Sequence, residues 1–129
     1  NKEADSLINL LEKNKRKNTD SILFWGNKLL ELSVANKNKN YAYEANRRLS
    51  YYYMQNQVYD SVFVYDRRML QNAKQLDSFK VISAYQNKAA YFDSKAEFDS
   101  SLIVLEKAQK LGYRNLKSAD RTDSIKKIK

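Results

Sequence analysis

The chain contains neither cysteine nor histidine among its 129 residues. Without cysteine it has no disulfide framework and no thiolate ligands for zinc. Without histidine it lacks the usual general base and the usual activator of a serine nucleophile. A glycine-rich phosphate loop is also missing from the sequence. These absences predict a non-enzymatic segment with no catalytic residues, no metal site and no cofactor.

Proline is absent as well, and glycine occurs only twice, at Gly26 and Gly112. Both residue types interrupt helices, so their scarcity permits long helices, whereas a sheet protein of this length would need more turn residues. Hydrophobic residues at 43% and charged residues at 30% suffice for a packed core and a solvated surface. The composition therefore predicts an all-α fold. No apolar run reaches the roughly 18 residues of a membrane span.

The formal net charge is +9, which raises the question of an anionic partner. Lysines are scattered along the chain, and the basic doublets Arg47-Arg48 and Arg67-Arg68 fall on different predicted elements from the basic stretch Lys13–Lys17. A scattered distribution is typical of a solvated surface. We therefore favour a general surface role for these charges and keep nucleic-acid binding as the alternative.

An Asp-Ser pair recurs before an apolar run at three places, Asp20-Ser21, Asp60-Ser61 and Asp99-Ser100, in two nearly equal steps. Asp and Ser are favoured at helix starts because their side chains accept hydrogen bonds from free backbone N–H groups. An internal period of about 40 residues is typical of a helical repeat array, in which each unit buries its apolar face by stacking on the next.

Hydrophobic spacing predicts three antiparallel helical hairpins, because the intervening polar breaks are short. The hairpins cover about residues 4–36, 39–74 and 78–111, and an extra helix covers about 116–129. Leu111-Gly112 is predicted to close the sixth helix, since glycine suits the left-handed residue past a helix end. We expect one helical-repeat domain over residues 1–129, as part of a longer protein.

The repeats resemble the tetratricopeptide repeat (TPR), which places small and aromatic residues at fixed positions of a hairpin. The third hairpin matches the pattern well and the second more loosely; the matching residues are Ala89, Phe92, Phe98, Ser101 and Ala108, and Ser50, Tyr53, Tyr59, Val62 and Met69. The resemblance implies an α-α superhelix. HEAT-type repeats, which have a similar period, are the alternative fold.

The sequence departs from the ordinary TPR pattern in three ways. The glycine of the hairpin turn is replaced by Gln57 and Ala96, the proline after each repeat is absent, and the period exceeds the ordinary TPR length. The chain looks like the longer-helix variant found in bacterial sensor and regulator proteins, upstream of a kinase or a DNA-binding output domain. A carboxylate clamp for a chaperone tail is not expected, because the matching positions hold Arg47, Tyr51, Gln86, Asn87 and Ala90.

The resemblance implies a protein–protein interaction scaffold, a sensor or regulatory module of a bacterial signal-transduction or transcription-regulatory protein. The expected partner is another protein or peptide, including a second copy of the chain, and the alternative is a basic helical domain that binds nucleic acid. The implied compartment is the cytoplasm, or the periplasm if a transmembrane helix follows Lys129.

In a TPR-like superhelix the first helix of each hairpin lines the concave face. The non-core positions of these helices are spaced three to four residues apart and so share one face of each helix. They give the predicted partner-binding residues Arg47, Tyr51, Gln55, Gln86, Ala90 and Asp93. Tyr52 and Tyr53 lie on the apolar stripe and are predicted to be core. Tyr51 lies off that stripe, beside Arg47 and Gln55, and is the best candidate for a groove contact.

Overall fold

The computed structural model describes the backbone of residues 1–128 and the side chains of residues 1–114. Over this part of the chain every regular element is a helix, which confirms the all-α class. The six helices are α1 (Lys2–Lys13), α2 (Ser21–Ala35), α3 (Lys39–Gln55), α4 (Tyr59–Lys74), α5 (Ser78–Ser94) and α6 (Phe98–Ile128). Helices α1 and α2, α3 and α4, and α5 and α6 pack as neighbours across short turns.

The chain divides into two compact units. The first, Asn1–Leu76, contains α1 to α4, and in it α3 packs against α1 and α2 as well as α4. The second, Asp77–Lys129, contains α5 and α6. The first unit is therefore two stacked hairpins, and the second is a single hairpin.

The repeated Asp-Ser pairs lie at helix starts, as predicted. Asp20 is the N-cap of α2, while Asp60 and Asp99 are the second residues of α4 and α6, where a carboxylate interacts favourably with the helix dipole. Asp77 caps α5, and its side chain accepts a hydrogen bond from the backbone N–H of Lys80 at 2.9 Å. The period therefore marks the start of the second helix of each hairpin.

Three of the turns end their helices with the same backbone geometry. A residue with a left-handed conformation follows the C-cap, and the next residue donates its N–H to a carbonyl five residues earlier, at 2.8 or 2.9 Å. This is the Schellman arrangement, which usually uses glycine at the left-handed position. Here the left-handed residues are Lys37 (φ 49°), Gln57 (φ 59°) and Ala96 (φ 57°). The backbone of each of these residues is held in a conformation that costs about 1–2 kcal/mol for an L-residue.

The core of the first unit is built from repeat-related positions. The buried residues of α2 recur one repeat period later as the buried residues of α4; they are Ile22, Gly26, Leu29 and Ser33, and Val62, Asp66, Met69 and Ala73. At Gly26 a Cβ atom would lie only 2.7 Å from the nearest side-chain carbon of Leu49 on α3. Glycine therefore allows α2 and α3 to approach closely at this point.

The second unit buries mostly small side chains between its two helices. The buried residues of its described part are Ala84, Ala89, Tyr91, Ser101, Val104 and Ala108. Ala89 and Ser101 are both buried, as expected for positions near the contact of α5 with α6. Small residues at such a contact let two helix backbones approach each other.

The predicted end of the sixth helix at Leu111-Gly112 is wrong. Helix α6 continues without interruption to Ile128, so the backbone shows no separate helix over about residues 116–129. Gly112 has no positive φ. A glycine inside a helix destabilises it by only about 1 kcal/mol relative to alanine. A penalty of this size does not end a helix unless a proline or a tertiary contact adds to it. Lys129 lies outside the described residues.

Candidate partner-binding surface

Three of the predicted site residues lie together on one accessible face of α3. Tyr51 is 43% exposed, Gln55 is exposed and Arg47 is half-buried. Their spacing of four residues turns them away from the stripe of α3 that includes Ala45 and Leu49, both fully buried. We call Arg47, Tyr51 and Gln55 the α3 face. It is accessible on a helix that is otherwise largely buried.

Ion pairs surround the Arg47 end of this face. Arg48, the neighbour of Arg47, is buried and forms an ion pair with Glu12 of α1, and Glu12 also accepts a hydrogen bond from Lys15 at 2.9 Å. The Lys15 hydrogen bond and the nearby guanidinium of Arg48 hold the pKa of Glu12 below its usual range. Burial, and then repulsion by Arg47, lower the pKa of Arg48. The guanidinium stays charged because its usual pKa lies far above neutral.

Arg47 itself is only weakly engaged within the protein. Its guanidinium lies 3.9 Å from the carboxylate of Glu44, and the Arg47 side chain is 42% exposed. An exposed pair at this distance contributes little to stability. The α3 face therefore presents a cation that can turn towards a carboxylate of a ligand, beside an aromatic ring one helical turn away.

The other three predicted residues, Gln86, Ala90 and Asp93, all lie on α5 of the second unit and are exposed. Their spacing of four and three residues places them on one face of that helix. The face holds an amide, a methyl group and a carboxylate, and so can make polar contacts without a large anchoring side chain.

Two of the tyrosines were predicted to be core and are only partly so. Tyr52 and Tyr53 are half-buried. The Tyr52 hydroxyl donates to Asp20 at 3.1 Å, and the ring of Tyr53 stacks on Tyr65 with centroids 5.5 Å apart. Burial raises the pKa of both phenols. A half-buried tyrosine can pack its ring against the protein and keep its hydroxyl near water.

A buried polar group in the first unit was missed by the sequence analysis. Ser50 on α3 donates to the buried carboxylate of Asp66 on α4, and the amide of Asn46 donates to Asn72 at 2.9 Å. The repeat could have identified Asp66, because it occupies the position of buried Gly26 one period later. Paired polar groups inside a core specify how two helices align.

Only one of the two basic doublets presents two exposed cations. Arg48 is buried against Glu12, so Arg47-Arg48 offers one accessible guanidinium. On α4, Arg67 and Arg68 are exposed, and Arg68 lies over the ring of Tyr65 at 5.3 Å. This arrangement does not present a row of cations to a phosphate backbone.

Comparison with protein-family models, with curated proteins and with solved structures finds no match to this chain. Within the described residues, no group of three or more acidic side chains is placed to hold a metal ion. In the same part of the chain, no helix combines the length and apolar character needed to cross a bilayer.

Proposed function

We propose that this chain is a non-enzymatic, TPR-like helical-repeat scaffold that binds another protein or a peptide through the α3 face. The observation that supports this most is the pairing of exposed Tyr51 with accessible Arg47 on α3. Tyrosine and arginine are enriched among residues that anchor protein interfaces, because they combine contact area with hydrogen bonding. The α5 residues Gln86, Ala90 and Asp93 form a second, weaker contact surface.

The chemistry of the α3 face favours a ligand with a carboxylate next to an apolar or aromatic side chain. The carboxylate would take the place of Glu44 on Arg47, and the apolar group would pack on the ring of Tyr51. The wider role, as a sensor or regulatory module of a bacterial signal-transduction or transcription-regulatory protein, rests on the TPR resemblance.

The proposal is tested with peptides selected from a random display library on the wild-type chain. The double variant Arg47→Ala/Tyr51→Ala should bind a selected fluorescent peptide at least tenfold more weakly, as expected when two anchors are removed. Its melting temperature should stay close to that of the wild type, because both side chains are accessible. Unchanged peptide binding would contradict a site at the α3 face.

A matched control uses Tyr113 and Arg114, an exposed tyrosine and arginine on α6 of the second unit. The variant Tyr113→Ala/Arg114→Ala removes the same two side-chain types and should leave peptide affinity unchanged. Separately, Arg47→Lys should lower the affinity for a carboxylate-bearing peptide, because lysine cannot make the bidentate contact. Equal loss in both double variants would indicate non-specific binding.

Nucleic-acid binding, the competing function, is separated by its dependence on salt. A net charge of +9 gives weak binding to duplex DNA at low ionic strength, and counterion release makes such binding fall steeply with added salt. We expect it to disappear near physiological salt. Tight binding at that salt would favour the competing function.

A further inference from the structure

Helix α6 exposes three large apolar side chains on one face. Phe98 is 61% exposed, Leu102 58% and Leu105 40%. Their spacing of four and three residues aligns them along the helix, and we call them the α6 apolar face. Ser101, Val104 and Ala108 are buried instead. Helix α6 therefore covers its small side chains and leaves a row of large ones in contact with water.

The repeat indicates what kind of element such a face receives. Leu105 lies two repeat periods after Gly26, in the register of the Asp-Ser pairs. At Gly26 the second helix of the first hairpin contacts Leu49 of the following helix, α3. The α6 apolar face thus includes the position that, in the first unit, seats another helix. A helix is the occupant that continues this established interface.

Two charged side chains beside the α6 apolar face indicate which helix packs against it. Asp99 and Lys110 are both exposed and lie about three helical turns apart, so they project from the same side of α6. No side chain that the structure describes forms an ion pair with either of them. When two α6 helices align antiparallel and cross between Val104 and Leu105, Asp99 of each lies beside Lys110 of the other. In that register these two charges are complementary across the contact.

We propose that the α6 apolar face binds the same face of a second copy of this chain, in an antiparallel α6–α6 pair with reciprocal Asp99–Lys110 contacts. A two-fold interface of this kind is the commonest way in which identical chains associate. The contact removes Phe98, Leu102 and Leu105 from water, and the reciprocal ion pairs offset the repulsion between two basic chains. The proposal does not depend on ligand binding at the α3 face, which lies in the other unit.

The test is sedimentation velocity of the full chain from about 1 to about 300 μM, the range for a small interface. A monomer–dimer equilibrium is expected. Leu102→Asp should abolish the dimer across this range, because a carboxylate would be buried against the apolar row. The control Phe24→Asp makes the same kind of change at an exposed apolar residue of α2 in the first unit, and it should affect the equilibrium far less. Circular dichroism checks that both variants keep their helix content.

Charge reversal tests the antiparallel alignment. Asp99→Lys or Lys110→Asp alone should weaken the dimer roughly tenfold, since each places like charges together twice. The double variant Asp99→Lys/Lys110→Asp should recover most of that loss. A chain that stays monomeric, or a dimer indifferent to Leu102→Asp, would overturn the proposed interface. Failure of the double reversal to recover the dimer would overturn the antiparallel pairing.

Discussion

The two units of the molecule differ in the size of the apolar side chains that they bury. Among the residues whose side chains the structure describes, the largest fully buried ones, Leu11, Leu29, Leu49, Val62 and Met69, all belong to the first unit. In the second unit the buried residues of the described part are mostly Ala, Ser and Val. Both units expose some large apolar side chains, Phe24 and Phe63 in the first and Phe79, Phe98, Leu102 and Leu105 in the second. The units nevertheless carry the same repeated helix starts.

Within the first unit two hairpins stack, and this stacking accounts for its large buried side chains. In the first unit α3 packs against three other helices, so a large side chain on one hairpin meets the surface of the next. A single hairpin buries only the line along which its two helices touch, and there small residues fit best. A repeat unit needs a neighbour to complete its core. The second unit thus retains an apolar surface that a further helix can cover.

The largest effect expected from this comparison is on folding stability. Leu49→Ala should destabilise the protein by about 2–5 kcal/mol, because it leaves a cavity against Gly26 and the fully buried core. Leu102→Ala, the same substitution at an exposed site, should cost less than about 0.5 kcal/mol. Urea unfolding at low micromolar concentration measures both losses without the proposed dimer. Similar losses at the two sites would remove the distinction between the units.

Much of the fold could be predicted from the sequence because local signals determined it. The Asp-Ser period located the starts of α2, α4 and α6, and short polar breaks located the turns between helices. The α3 face could also be predicted, since an i, i+4, i+8 spacing places Arg47, Tyr51 and Gln55 together in any helix. The end of the sixth helix could not, because Gly112 is a weak signal without a proline.

Burial could be predicted less well, because it depends on neighbours distant in sequence. Periodicity placed Phe98, Leu102 and Leu105 on one face but could not reveal whether another helix covers that face. Arg48 and Asp66 have the character of surface charges, yet both are buried, since Glu12 pairs with the first and Ser50 donates to the second. Such partners are 36 and 16 residues away in the chain.

A smaller effect is expected at the turns, where both units hold a non-glycine residue in a left-handed backbone conformation. Gln57→Gly in the first unit and Ala96→Gly in the second should each raise stability by about 0.5–1 kcal/mol, since glycine removes the steric cost but adds freedom to the unfolded chain. Thermal unfolding of the two variants provides the measurement. Destabilisation by either glycine would contradict the left-handed turn at that site.

The smallest effect concerns pH, because the carboxylates involved are accessible. The Lys15 hydrogen bond and Arg48 lower the pKa of Glu12, and the backbone N–H and ammonium of Lys80 lower that of Asp77. A carboxylate with a lowered pKa in the folded state stabilises the fold above its unfolded pKa, and this contribution is lost as pH falls. Stability should therefore decrease between roughly pH 5 and pH 3.

Two variants separate the contributions of the two units to this decrease in stability at low pH. Glu12→Gln should flatten the pH dependence that arises in the first unit, and Asp77→Asn that of the second. Urea midpoints measured at successive pH values report both changes. Glu31→Gln, at an exposed carboxylate paired with Lys28 at 3.7 Å, serves as the control. A slope that neither Glu12→Gln nor Asp77→Asn alters would show that other groups carry the pH dependence.

Hydrogen exchange at two protein concentrations tests most directly whether the first unit has a complete core and the second is completed by another copy. The amides of α3 should exchange slowly and at the same rate in dilute and concentrated solution, since their protection arises within one chain. The amides of α6 between Phe98 and Lys110 should exchange faster when dilute and become protected at high concentration. Protection of α6 that is equal to that of α3 and independent of concentration would contradict this account.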